Sequence, residues 1–148
     1  MVAIEISNRQ SQEELNVELY KSVAGFVLEN ENVADNAEIS ISFVTDEEIR
    51  FLNSRYRGID EPTDVLSFCL DDGPKDPHPV LGDVVIAPKV AGIMADKLGC
   101  PLNKELSFLL IHGILHLLGY SHKDDKKRKA MQDKEHHLLD LVASRFLS

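Results

Sequence analysis

The chain has 148 residues, 43% of them hydrophobic and 28% charged, with a formal net charge of −9 at pH 7. That length and composition fit one soluble domain, residues 1–148, with its own core, and no stretch approaches the roughly 18 apolar residues of a membrane span. The acidic balance excludes indiscriminate nucleic-acid binding, which needs a positive face for phosphates. The two cysteines, Cys69 and Cys100, lack the pairing of a disulfide framework or a thiolate zinc site.

From the N-terminus, Val2, Ile4 and Ile6 alternate as a strand over residues 2–6. A basic-then-apolar leader pattern is missing there, which gives the expectation of a cytoplasmic protein. Ser11 and Glu14 read as a capping box that starts a helix to about Glu29, with Leu15, Leu19, Val23 and Phe26 as its buried stripe. Ile39, Ile41 and Phe43 alternate with Ser40 and Ser42, predicting a strand over 38–44. Thr45 and Glu48 form a second capping box, opening a helix to about Tyr56 that Gly58 ends. Pro62 leads into a strand over 64–69, and the proline-rich stretch 71–79 reads as an exposed loop. A strand over 83–87 precedes a helix that starts at Pro88 and ends at Gly99. Pro101 opens a long helix, and Asp124 or Asp125 caps a last one to about Phe146, with Met131, Leu138, Leu139 and Val142 inward. Strands and helices interleave, so the expected fold is α/β (α+β): one domain with a small mixed four-stranded sheet covered by about five helices.

The long helix carries the most informative run, from His112 through His116 to His122. His112 and His116 are four apart and share one helix face, a turn apart. Gly119 supplies the residue at which a helix can end left-handed and the chain reverse, bringing His122 back toward them. A single histidine on an apolar helix is usually a core residue. Three at this spacing, with one coordination position left open, have the geometry of a catalytic zinc centre. Metzincin proteases share this frame of a metal helix, written H-E-x-x-H-x-x-G-x-x-H. Their general base is the Glu after the first histidine, and Gly113 stands there instead. Peptide hydrolysis by that mechanism is therefore not expected. His78, His136 and His137 lack ligand spacing and read as surface residues.

Two further segments, Leu52 to Phe68 and Leu81 to Ile86, fall into place beside the histidine run. The first fits N-x-x-Y-R-x-x-D-x-P-T-D-V-L-S-F, and the second reads Leu81-Gly82-Asp83-Val84-Val85-Ile86. The histidine run fits H-G-x-L-H-L-x-G-Y-D-H at every fixed position but one. Together they resemble the bacterial YbeY family of rRNA-maturation metallo-endoribonucleases, over the whole chain in order and length. The resemblance implies a single-domain metalloprotein acting on single-stranded RNA, in small-subunit rRNA 3′-end maturation and ribosome quality control. It implies that His112, His116 and His122 hold the metal, usually zinc, one per chain, and that Arg57 matches the family's functional arginine. Ser121 stands where the family has Asp, beside the third ligand, and Cys69 replaces a proline.

These readings combine into an expected mechanism. A three-histidine zinc keeps its full charge and lowers the pKa of a bound water to about 7. Arg57 would clamp the scissile phosphate, whose negative charge grows during cleavage. Attack by water and attack by the ribose 2′-OH both remain open. Asn53, Arg55, Asp64 and Ser121 are further candidates for supporting the metal or contacting RNA; Asp64 and Asp83 read equally as turn or cap residues. Nickel or another divalent transition metal would suit the same ligands. The expected partners are rRNA or other single-stranded RNA and components of the small ribosomal subunit, with neither DNA nor a membrane. Two rivals stay in view: a zinc hydrolase of peptides or esters, and a ribosome-assembly binding factor whose metal is not catalytic.

Overall fold

A computed structural model describes residues 2–70 and 79–147. The chain runs β1 (Ala3–Asn8), α1 (Val17–Asn30), β2 (Glu38–Phe43), α2 (Asp46–Arg57), β3 (Val65–Cys69), β4 (Val80–Ile86), α3 (Pro88–Leu98), α4 (Leu102–Leu117) and α5 (Asp125–Phe146). The four strands form one mixed sheet in the order β1-β2-β4-β3. β1, β2 and β4 are parallel, and β3 is antiparallel to β4. The expected α/β (α+β) domain with a small mixed sheet and five helices is what the chain forms. The expected loop over 71–79 falls, but for Pro79, outside the described residues, as does His78.

Alternation along the strands divides the apolar side chains between two faces. Ile39, Ile41 and Phe43 of β2 join Val84 and Ile86 of β4 in the main core, beneath α1, α4 and α5. On the opposite face Leu66 pairs with Val85, and both pack with Val44 and Ile49 under α2. α4 is the central helix: Leu106, Leu110, Ile111, Ile114 and Leu115 on it are fully buried. At roughly 1.5–3 kcal/mol for each such side chain, its position is set by the core and not by its histidines.

Local chemistry explains the element ends. Thr45 caps α2, its Oγ1 accepting from the Glu48 N–H at 3.1 Å, and Asp124 caps α5, accepting from the Lys127 N–H at 2.8 Å. The start of α1 corrects the expectation at Ser11. The Gln10 side chain accepts from the Glu13 N–H at 2.9 Å and donates to its carbonyl at 3.0 Å. Residues 10–13 are thereby held in a turn, and the helix begins only after Asn16, whose side chain accepts from the Leu19 N–H at 3.3 Å. The buried stripe shifts accordingly to Tyr20, Val23, Ala24, Val27 and Leu28, leaving Leu15, Leu19 and Phe26 at its edge. Leu139 on α5 likewise sits at the rim of the core. No helix among the described residues is long and apolar enough to cross a membrane.

Candidate metal centre

α4 is apolar almost all round, and the gap in its buried surface is the line Phe108, His112 and His116. The helix ends as a Schellman turn. Gly119 has φ +101°, its N–H donates to the His116 carbonyl at 3.1 Å, and the Tyr120 N–H donates to the Leu115 carbonyl at 3.0 Å. The Tyr120 hydroxyl then donates to Glu31 at 2.9 Å, and Lys134 of α5 reaches the same carboxylate at 3.3 Å. The reversed segment is tied to both α1 and α5, and His122 returns over the helix face.

The three imidazoles converge. Ring centroids lie 4.6 Å apart for His112 and His116, 5.3 Å for His116 and His122, and 5.6 Å for His112 and His122. One ring nitrogen from each falls within 4.8 Å of the others, a group that could hold a metal ion. Burial, and then the neighbouring His112 and His122 rings, hold His116 below the ordinary histidine range. Both effects favour its neutral form, the form that ligates metal. The His112 Nδ1 is 2.9 Å from a carboxylate oxygen of Glu135, which is only 3% exposed. That bond leaves Nε2 as the free nitrogen of His112, the usual second partner of a metal-ligating histidine. A neutral all-nitrogen donor set braced by a carboxylate fits a zinc-type ion.

β3 lies against α4 at close range. The Ser67 hydroxyl donates to the Gly113 carbonyl at 3.2 Å, and the Cys69 thiol to the Leu117 carbonyl at 3.6 Å, one helical turn on. A Cβ at position 113 would stand 2.7 Å from Val84 Cγ1 and 3.1 Å from Ser67 Oγ. The site at which metzincins carry their Glu is here packed against the sheet, so a side chain there would force its neighbours to shift.

The approach of β3 also brings the end of α2 to the histidines. One cavity of about 740 Å³ is lined by Arg57, Tyr56, Phe68 and all three histidines. A second, of about 500 Å³, opens beside His112 and His122 and is lined by Asp64, Phe108, Glu135 and His136. Arg50 is paired with Asp60 at 2.9 Å. Arg57 makes no ion pair or hydrogen bond among the described residues, and it lines the first cavity.

The family model described as Endoribonuclease YbeY matches residues 5–143. The chain belongs to the YbeY family. A relative of that description from Desulforamulus reducens is 42% identical over 139 residues, covering 87% of this chain and 91% of the relative. Another, from a Geobacillus species, is 38% identical over 145 residues, covering 93% and 92%. The solution structure of TM1509 from Thermotoga maritima superposes with a TM-score of 0.69 at 30% identity, over 97% of this chain and 90% of that one.

The remaining sequence candidates are distributed unevenly about the three histidines. Asn53 is buried and donates to the Glu61 carbonyl at 2.9 Å, stapling the end of α2 to the turn that follows. Arg55 lies over the Tyr56 ring, 5.8 Å from its centroid. Asp64 lines the second cavity, and burial, then the Asp64 charge, push the buried Glu105 up from the usual carboxylate range. Ser121 lines a separate hollow with Lys123 and Lys127. His136 is exposed, as expected, yet edges the second cavity. Glu135 escaped the sequence reading. Its trace was a carboxylate at the fourth position between Met131 and Leu138, inside the apolar stripe of α5.

Proposed function

We propose that this protein is a zinc-dependent endoribonuclease that cleaves single-stranded RNA in the cleft between α4, β3 and the end of α2. The single observation that supports it most is that Arg57 lines one cavity with three convergent histidines. His112, His116 and His122 would hold the ion, one per chain. A zinc ion so bound supplies Lewis acidity and brings the pKa of water down to about 7.

The protein's own groups do the rest. The planar fork of Arg57 matches two phosphate oxygens and offsets the charge that grows on them as the phosphodiester breaks. Glu135 keeps the proton of His112 on Nδ1 and so fixes the direction of its other nitrogen. Val65, Leu66 and Leu117 give the cavity apolar walls, which lower the local dielectric and strengthen the Arg57 contact. Gly113 argues against the rival reading as a peptide hydrolase, since it supplies no carboxylate where that chemistry has its base and the sheet packs closely against it.

The proposed cellular role is maturation of the small-subunit rRNA 3′ end and quality control of ribosomes. The net charge of −9 suits this, because an acidic protein docks on basic ribosomal proteins more readily than on bare RNA. Replacing Arg57 with Ala is expected to lower RNA cleavage by about 10²-fold or more while the bound metal per chain stays unchanged. Equal loss of metal and activity would overturn the role given to Arg57. The ends of the RNA products report the nucleophile: a 2′,3′-cyclic phosphate beside a 5′-hydroxyl marks attack by the ribose hydroxyl, and a 5′-phosphate beside a 3′-hydroxyl marks attack by water.

A further inference from the structure

Most of α2 is explained by what it buries, Ile49 and Asn53, and by what Arg57 does at its end. Tyr56 is not. It is 60% exposed although it is large and aromatic. An isolated exposed aromatic ring is unremarkable on a protein surface, but this one lines the same cavity as Arg57 and the three histidines. Phe68 of β3 props it, with ring centroids 5.3 Å apart and planes at 68°. The edge-to-face contact fixes the ring and leaves much of it open to solvent. Beside it the exposed Arg55 lies over the ring at 5.8 Å and has no ion pair among the described residues. A planar cation therefore already occupies a place that a planar ligand can take or share.

We propose that Tyr56, propped by Phe68 and flanked by Arg55, is a stacking shelf for one nucleobase of the RNA, next to the phosphate held by Arg57. The inference rests on the endoribonuclease reading and adds a base subsite to it. Consecutive residues of one helix end would then hold consecutive parts of one nucleotide, Arg57 the phosphate and Tyr56 the base. The cavity volume of about 740 Å³ falls within the range of roughly 300–1,000 Å³ usual for small-ligand sites. Every base has a π-face, so the shelf accepts any sequence, but it demands a base released from its helical stack. Selection for single strands and indifference to sequence would follow from one contact.

The test is equilibrium binding of a short single-stranded oligoribonucleotide to the metal-loaded protein, with an abasic nucleotide walked along the RNA. Wild type is compared with Tyr56→Ala, Tyr56→Phe and Tyr56→Trp, and cleavage of the intact RNA is followed in parallel. Tyr56→Ala is expected to weaken binding about 5- to 100-fold, the range for loss of one stacked base, while Phe and Trp bind nearly as wild type. One abasic position should weaken wild type by a similar factor and leave Tyr56→Ala unaffected. An abasic penalty of unchanged size in Tyr56→Ala, or equal binding by Ala and Phe variants, would overturn the shelf. If wild type cleaves RNA and the abasic walk is flat, the shelf falls and the nuclease reading stands. If the stacking pattern holds without any cleavage, the shelf stands as an RNA-binding feature and the nuclease reading falls.

Discussion

Glu135 carries a buried carboxylate into the apolar stripe of α5, at a cost that only a specific partner offsets. That partner is His112, 2.9 Å away. Replacing Glu135 with Gln keeps the shape but removes the charge that favours the Nδ1 proton, and metal affinity should fall by about 10- to 100-fold. Competition with a chromophoric chelator measures it; an unchanged affinity would reduce Glu135 to a packing residue. Tyr20 provides a separate residue-scale prediction. Burial raises its hydroxyl to about 12, from 10.0. The folded state thus keeps a proton that the unfolded chain loses near 10, so stability is full below about 10 and declines as pH rises toward about 12. A shift of that size corresponds to at most about 3 kcal/mol, and Tyr20→Phe should flatten the decline in urea midpoints between pH 9 and pH 11.

At the scale of elements, the contact of α4 with β3 and β4 decides where the histidines sit. Helix propensity alone would favour Ala over Gly at position 113 by about 1 kcal/mol. The added methyl would stand 2.7 Å from Val84, itself fully buried, so the sheet must shift. Overpacking typically costs about 1–3 kcal/mol, partly offset by that propensity gain, so Gly113→Ala should lower stability by up to about 2 kcal/mol and loosen the histidine cluster. A gain in stability would show that the strand yields freely. What was legible in the sequence follows the same physics. Local signals located β2, α2, α3 and α5 closely, because alternation, the Thr45 and Asp124 caps and Pro88 act within a few residues. The histidine cluster was legible because a helix repeat and one turn bring all three rings together. The start of α1 misled because Ser11 and Glu14 satisfy the capping pattern while Gln10 claims the backbone of residue 13 first. Glu135 and the Tyr56–Phe68 contact join residues far apart in sequence, which periodicity does not report.

Taken whole, the molecule sets its elements so that two cavities flank the histidines, one lined by the end of α2, β3 and α4, the other by α4 and the middle of α5. The core under α1, α4 and α5 fixes one wall, and the smaller cluster under α2 fixes the other. All three histidines that could hold a metal line the larger cavity, and His112 and His122 line the other as well, so the candidate chemistry gathers there. The central claim is that the three histidines hold a metal on which RNA cleavage depends. It is tested most directly by stripping the purified protein of metal, adding zinc back in steps and following cleavage of a single-stranded RNA, with His116→Ala alongside. Cleavage should rise with zinc and level off at one ion per chain, while the variant stays flat. Full cleavage by the stripped protein, or a zinc-loaded protein that cleaves no RNA, would contradict it.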